Sequence, residues 1–443
     1  MQKLKILQVV IKNTSTLDFS VPLFWHIRNK SKNAEITILF CMSNRYKILS
    51  KSEFYKREFK KIGVNELDFL HFFPSKLNRL KSILYSFFSN NDSNNNSFLD
   101  LYSSTNSSIK KISNFVYYVG QKLRRSIENK VVMSYLDIDK EMRRIKPDVI
   151  LLDNRNAVDF PGDSDLFHYI FQTFKSRVVL LPHAPHYLTS DYSHVNPNPF
   201  SDCNVEDKCD IWMPFIKSDK PESSSQLYYS GYPGFDSNWI DYCKSIEPKR
   251  HKISILYVGR KFLDRGTKRP DNFNFVTMDY NNVLIHLNLI YDYLRESSVE
   301  FEFIFKAHPS SSSIMIDKAL QESNMTNFTV SFDTSYSFLS YVDLVISPYS
   351  TALFSYAISG IPTIVIKSDM MDEAMSSWKS VAELYKNMSY YCNQEDIPSL
   401  MRNILSKKNG VIADVQHIRK FFPNNSLNLC YERVIDIKEK NEL

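Results

Sequence analysis

A chain of 443 residues with 43% hydrophobic, 14% aromatic and 23% charged residues is long enough for two or three ordinary cores, which excludes a stapled miniprotein, a fibre and a disordered polymer. Lys and Arg total 55 against 49 Asp and Glu, a formal charge of +6. That excess is too mild to demand nucleic acid; an anionic membrane surface or a phosphorylated substrate accounts for it equally well. The six cysteines (Cys41, Cys203, Cys209, Cys243, Cys392, Cys430) form no C-x-x-C pair and no metal-ligand spacing, so they read as free thiols of a reducing cytoplasm. The opening MQKLKILQVVIKNTS has too short an apolar run for a signal peptide, and no run approaches the roughly 18 apolar residues of a spanning helix. A cytoplasmic protein is expected, soluble or peripheral at the inner face of a membrane.

In chain order, the sequence predicts a strand at Lys5 to Ile11, a helix around Leu17 to Arg28 and a strand at Glu35 to Cys41, the alternation of a parallel α/β domain. The polar stretch NNDSNNN at 90–96 reads as a surface loop. After it, a long helix carrying Lys110, Lys111, Lys122, Arg124, Arg125 and Lys130 offers a solvated cationic face, or a face for anionic lipid. Alternation resumes with VILLDN (Val149 to Asn154), a helical stretch near Asp165 to Phe174, RVVLLPH (Arg177 to His183), IWMPF (Ile211 to Phe215) and LYYSG (Leu227 to Gly231). The turn GYPGFD (Gly231 to Asp236) and the charged stretch ending at Lys252 mark a domain boundary. The pattern then restarts: ISILYVG (Ile253 to Gly259), a basic loop, an amphipathic helix with Val283, Leu287 and Ile290, then FEFIFKAHP, FTVSF, DLVISP and PTIVIK separated by helices. A last helix is expected from Leu427 to Lys438. This divides the chain into residues 1–245, with a helical insertion around 75–145, and residues 246–443, which include the terminal helices.

Buried parallel strands that end in polar residues carry their chemistry on the carboxyl edge of the sheet. Lys306 and His308 end one such strand, and Pro309 holds His308 extended, so both are candidate ligand contacts. Ser347, Ser350 and Thr351 lie where a strand gives way to a helix expected to begin at Ser350 or Thr351; hydroxyls and free amides there suit a phosphate. Plain N-capping would need only one of those hydroxyls. In the basic loop after ILYVG, Arg260 and Lys261 rank ahead of Arg265, Lys268 and Arg269 as partners of a diphosphate. In the other half, His183 ends a buried strand and is the first candidate for a general base, with Asp153 and His186 as alternatives and Asp191 and His194 further along the same loop. No D-x-D ends a strand and no acidic cluster or H-x-x-x-H appears, so the expected chemistry needs no metal and no cofactor beyond the donor substrate.

Taken in order, PHAPH (Pro182 to His186), GYPGFD, ILYVG, KAHP (Lys306 to Pro309) and SPYSTALFSYAISGIPTIVI resemble the GT-B transferases of bacterial surface polysaccharides. The nearest resemblance is to CDP-glycerol glycerophosphotransferases and to the capsule Kdo transferases and polysialyltransferases with an HP motif; it covers roughly Val149 to Ile366. It implies two facing Rossmann-like domains, a nucleotide-sugar donor held by the C-terminal one and a glycan or lipid-linked glycan acceptor near the N-terminal one. On this reading His308, Ser350 and Thr351 contact donor phosphates, and His183 matches the histidine of an H-G-T type loop. Ala184 and Pro185 depart from that loop, which favours a sugar over a glycerophosphate donor. Cytidine nucleotides are common among these relatives. The implied function is inverting transfer of a nucleotide-activated sugar to a capsule or lipopolysaccharide glycan. Polyol-phosphate transfer, a UDP-sugar 2-epimerase and a non-catalytic nucleotide-sugar or glycan-binding protein are the alternatives.

Overall fold

The computed structural model describes residues 3–10, 16–40, 52–68, 135–153, 170, 173–174, 177–182, 210–213, 227–262, 277–278, 280–297, 300–308, 311, 313–325, 327–367, 384–387, 389–406 and 415–442. The loop at 90–96, the basic segment 110–130 and the residues His183, His186, Asp191 and His194 lie outside the described residues.

Seven strands form the first sheet: β1 (Lys5–Val10), β2 (Glu35–Phe40), β3 (Asn65–Asp68), β4 (Val149–Asp153), β5 (Val178–Leu181), β6 (Asp210–Met213) and β7 (Leu227–Tyr229). Their order is β3-β2-β1-β4-β5-β6-β7, and every pairing is parallel. Runs such as EITILF and VVLL are apolar without strict alternation because helices cover both faces of a parallel sheet. The polar exception in β1, Gln8, is buried and satisfied, accepting from Ser20 Oγ at 2.7 Å and donating to Thr16 Oγ1 at 3.4 Å.

The second sheet contains β8 (Ile253–Val258), β11 (Phe301–Lys306), β12 (Phe328–Ser331), β13 (Leu344–Pro348), β14 (Thr363–Ile366) and β15 (Tyr390–Cys392), in the order β12-β11-β8-β13-β14-β15 and parallel throughout. The two-residue strands β9 (Lys261–Phe262) and β10 (Thr277–Met278) pair beside it. Each sheet begins with a central strand, builds outward to one side and then crosses back. Its topological switch points therefore fall between β1 and β4 and between β8 and β13.

The helices used below are α1 (Leu17–Lys30), α2 (Glu53–Ile62), α3 (Tyr135–Ile145), α4 (Ser237–Lys244), α5 (Tyr280–Glu296), α6 (Ser313–Glu322), α7 (Leu353–Ile358), α8 (Ile397–Ser406), α9 (Val415–Arg419) and α10 (Ser426–Glu442). One aromatic-rich core runs from α1 and α2 through the GYPGFD segment into α7 and the start of α10, with Phe19, Trp239, Tyr336 and Phe422 among its buried members. A second core fills the opposite face of the second sheet beneath α5, α6 and α8. Although last in sequence, α10 packs on α1 and β4 of the first half. The GYPGFD turn makes that return possible: Gly231 has φ of +68°, and a Cβ there would lie 2.3 Å from Ser426 Oγ. Among the described residues the free cysteines Cys243, Cys392 and Cys430 are buried, and no helix is long and apolar enough to cross a membrane.

Candidate functional site at the strand ends

Three consecutive strand ends of the second sheet bring the main candidates together. β11, β8 and β13 are neighbours, so the segments that follow them, 307–308, 259–260 and 349–351, share one edge. Gly259 N donates to Lys306 O at 2.8 Å, Ser311 N to His308 O at 2.8 Å and Ser311 Oγ to Arg260 O at 3.5 Å. Gly259 is required here by packing: a Cβ would lie 2.6 Å from the Phe305 ring. Arg260 and His308 are half-buried at this edge, and burial brings the Arg260 guanidinium down to about 10, with Tyr385 beside it acting in the opposite sense. Lys261 opens β9, its backbone paired with Thr277.

Two expectations need correction here. The helix after β13 begins at Leu353 and is six residues long, so Ser350 and Thr351 form a turn ahead of it: their carbonyls accept from Leu353 N (3.1 Å) and Phe354 N (3.3 Å). Both remain half-buried at the edge, with Ser350 Oγ accepting from Ala352 N at 3.4 Å. Ser347 lies inside the sheet rather than at its edge; it is 0% exposed and its hydroxyl donates to Val258 O at 2.8 Å, bridging β13 to β8.

Lys306 is 8% exposed and stands in the field of two carboxylates, Asp18 from the first half and Asp333 from the second. Burial pushes the Asp18 carboxyl up, opposed by hydrogen bonds from Thr334 and Tyr55 and by Lys306; burial pushes the Lys306 ammonium down, opposed by both carboxylates. Neither carboxylate stood out in the sequence. The legible sign of Asp18 was Pro22, four residues later inside a helical pattern: a proline there removes the N–H that would have bonded the Asp18 carbonyl.

On the first sheet, Asp153 ends β4 at the switch point beside β1. The geometry of His183 and His186 relative to it lies outside the described residues. Among the described residues no group of three or more His, Cys, Asp or Glu could hold a metal ion. A cavity of about 500 Å³ lined by Lys252, Glu300, Phe301, Glu302 and Asn327 opens at the amino ends of β8 and β11, on the edge away from these candidates.

No protein-family model matches the chain, and no curated protein matches it. Solved structures do. A protein assigned as a UDP-N-acetylglucosamine 2-epimerase from Listeria monocytogenes superposes with a TM-score of 0.51 at 10% identity, over 96% of this chain and 94% of that one. A second UDP-N-acetylglucosamine 2-epimerase gives 0.52 at 10% identity, over 98% of this chain and 96% of the other. A glycosyltransferase from Rickettsia africae gives 0.47 at 10% identity, over 99% of both chains. With its two Rossmann-like sheets, the fold is of the GT-B type.

Proposed function

We propose that this chain is an enzyme acting on a nucleotide-activated sugar, and that it transfers the sugar to a glycan acceptor. The observation that carries the reading is the convergence of Arg260, His308 and the Ser350–Thr351 turn on adjacent strand ends at the β8/β13 switch point, where open parallel sheets take nucleotides. Arg260 and His308 would bind the donor phosphates and stabilise the charge that develops on the leaving nucleotide as its bond to the sugar breaks. The acceptor hydroxyl would be deprotonated by a base at the carboxyl edge of the first sheet, His183 first, with Asp153 and His186 as alternatives. Attack from the face opposite the leaving group inverts the anomeric centre. By resemblance to the HP-motif transferases, a CMP- or CDP-activated donor and a capsule or lipopolysaccharide acceptor at the cytoplasmic side of the membrane complete the reading.

A second reading, the 2-epimerase, is favoured by one observation: the superpositions of 0.51 and 0.52 are both with proteins so assigned. The two share the donor site and differ in whether an acceptor is needed. Incubation with a panel of UDP-, CDP- and CMP-sugars, scored for nucleotide release with and without a glycan acceptor and for epimerised sugar, separates them. Release that requires the acceptor supports transfer. Epimerised product without acceptor replaces transfer by epimerisation, and binding without turnover replaces both by a binding protein. Chelation with EDTA is expected to leave turnover intact; loss restored by magnesium or manganese would reveal a metal requirement.

A further inference from the structure

The two halves exchange carboxylates. Asp333 follows β12 in the second half, yet its carboxylate caps a helix of the first: it accepts from Ser52 Oγ and, at 3.2 Å, from Phe54 N at the start of α2. Ser52 is the N-cap residue of that helix, accepting from Tyr55 N at 3.1 Å, so side chains from both halves satisfy the same helix terminus. Asp18, in the first turn of α1, receives in return Thr334 Oγ1 at 2.6 Å along with Tyr55 Oη from its own half. Its carbonyl, deprived of a helical donor by Pro22, accepts from Tyr336 Oη at 2.9 Å. Tyr336 reaches it over Gly234, where a Cβ would lie 1.7 Å from the phenol oxygen. Asp333 is tied to the strand end that carries His308: its N–H donates to Ser331 Oγ at 3.2 Å, and Ser331 O accepts from Ala307 N at 2.7 Å. Lys306, two residues ahead of His308, stands in the field of both carboxylates.

From this reciprocal arrangement we infer that Asp18 and Asp333 are positioning residues: they clasp the two halves together, fixing the strand end that carries His308 and so coupling nucleotide binding to the engagement of α1 and α2. The inference rests on the reading of the strand ends at the β8/β13 switch point as a nucleotide-sugar site. Thr334 Oγ1 donates to Asp18 from the other half, so a change of one methyl or hydroxyl on Thr334 is felt on both sides. A Thr334→Val side chain keeps the volume but leaves the Asp18 carboxylate short of a donor, whereas Thr334→Ser keeps the donor.

Two measurements on the full chain test this. Hydrogen exchange of peptides spanning 17–21 and 53–57, in variants whose melting shows an intact fold, is expected to speed at least tenfold in Thr334→Val and Asp333→Ala and to stay near wild type in Thr334→Ser. Uniform exchange across all of these proteins would overturn the clasp. Calorimetry with UDP, CDP and CMP as probes is expected to show about tenfold weaker binding in Thr334→Val, with affinity recovered in Thr334→Ser. Faster exchange with unchanged affinity would overturn the coupling to nucleotide binding. If the wild-type protein binds none of the probes, the nucleotide reading fails and the exchange result alone judges the clasp.

Discussion

Arg433 of α10 grips Asp210 of β6 with two parallel hydrogen bonds, Nε to Oδ2 at 2.5 Å and Nη2 to Oδ1 at 2.8 Å, tying the last helix of the chain to the first sheet. The pair is largely enclosed, at 23% and 15% side-chain exposure, and the guanidinium also lies over the Tyr228 ring, 5.3 Å from its centroid. Tyr228 Oη reinforces the seam by donating to Leu429 O at 2.9 Å. A planar fork matches a carboxylate where an ammonium supplies a point charge.

Arg433→Ala is therefore expected to destabilise the protein by roughly 1–3 kcal/mol, with Arg433→Lys recovering only part of it. Urea denaturation checks this. Midpoints of both variants equal to wild type would show that α10 is held without the Arg433 fork, by its buried residues Leu427, Cys430 and Val434 and by the Tyr228 hydrogen bond.

His286 in α5 gives the fold a defined response to acid. Its Nδ1 lies 3.0 Å from Tyr257 Oη in the core of the second half, and burial lowers the imidazole from its ordinary 6.5 to about 4, with Glu395 pulling weakly the other way. The folded protein thus resists a proton that the unfolded chain accepts. The stability this residue contributes is complete above about pH 6.5, declines as pH falls toward 4 and is lost below it, roughly 3 kcal/mol in all. His286→Gln keeps an acceptor for Tyr257 and removes the titration, so its stability deficit against wild type should shrink as pH drops from 7 to 4. A deficit that stays constant across that range would contradict a neutral, buried His286.

The sheets were largely legible because their strands are continuous apolar runs: β1, β2, β8, β11 and β13 start within a residue of the expected positions. The order of motifs then placed Arg260, His308 and Ser350 on neighbouring strand ends. What escaped was whatever depends on partners distant in sequence. Thr334 and Asp18 are separated by 316 residues, and Ser52 and Asp333 by 281, so neither contact leaves a local pattern. Ser347 escaped differently. A hydroxyl at the end of a strand serves a ligand or the adjacent strand equally well on paper, and only the register of β8 against β13 turns it toward Val258.

That register separates His308 from Ser347 experimentally. His308→Ala should weaken nucleotide binding ten- to hundredfold, the loss of a hydrogen bond to a charged phosphate. Ser347→Ala should leave nucleotide affinity alone and lower stability by about 1 kcal/mol, since it removes one buried hydrogen bond. Calorimetry and denaturation on the two variants read both effects. Equal nucleotide affinity in wild type and a folded His308→Ala protein would remove His308 from the donor site.

The base is tested on the first sheet. Asp153 ends β4 at the β1/β4 switch point, and β5, which pairs beside β4, ends at Leu181, two residues before His183 in the sequence. A positioned general base typically contributes about 10²–10⁴-fold. If His183 removes the acceptor proton and the donor sits on the second sheet as proposed, His183→Ala should lose that much turnover while donor affinity holds. Asp153→Asn discriminates: it keeps the shape and removes the charge. Turnover abolished in Asp153→Asn and retained in His183→Ala would make the carboxylate the base. Wild-type turnover in both would move the role along the loop to His186 or Asp191, and the acceptor with it.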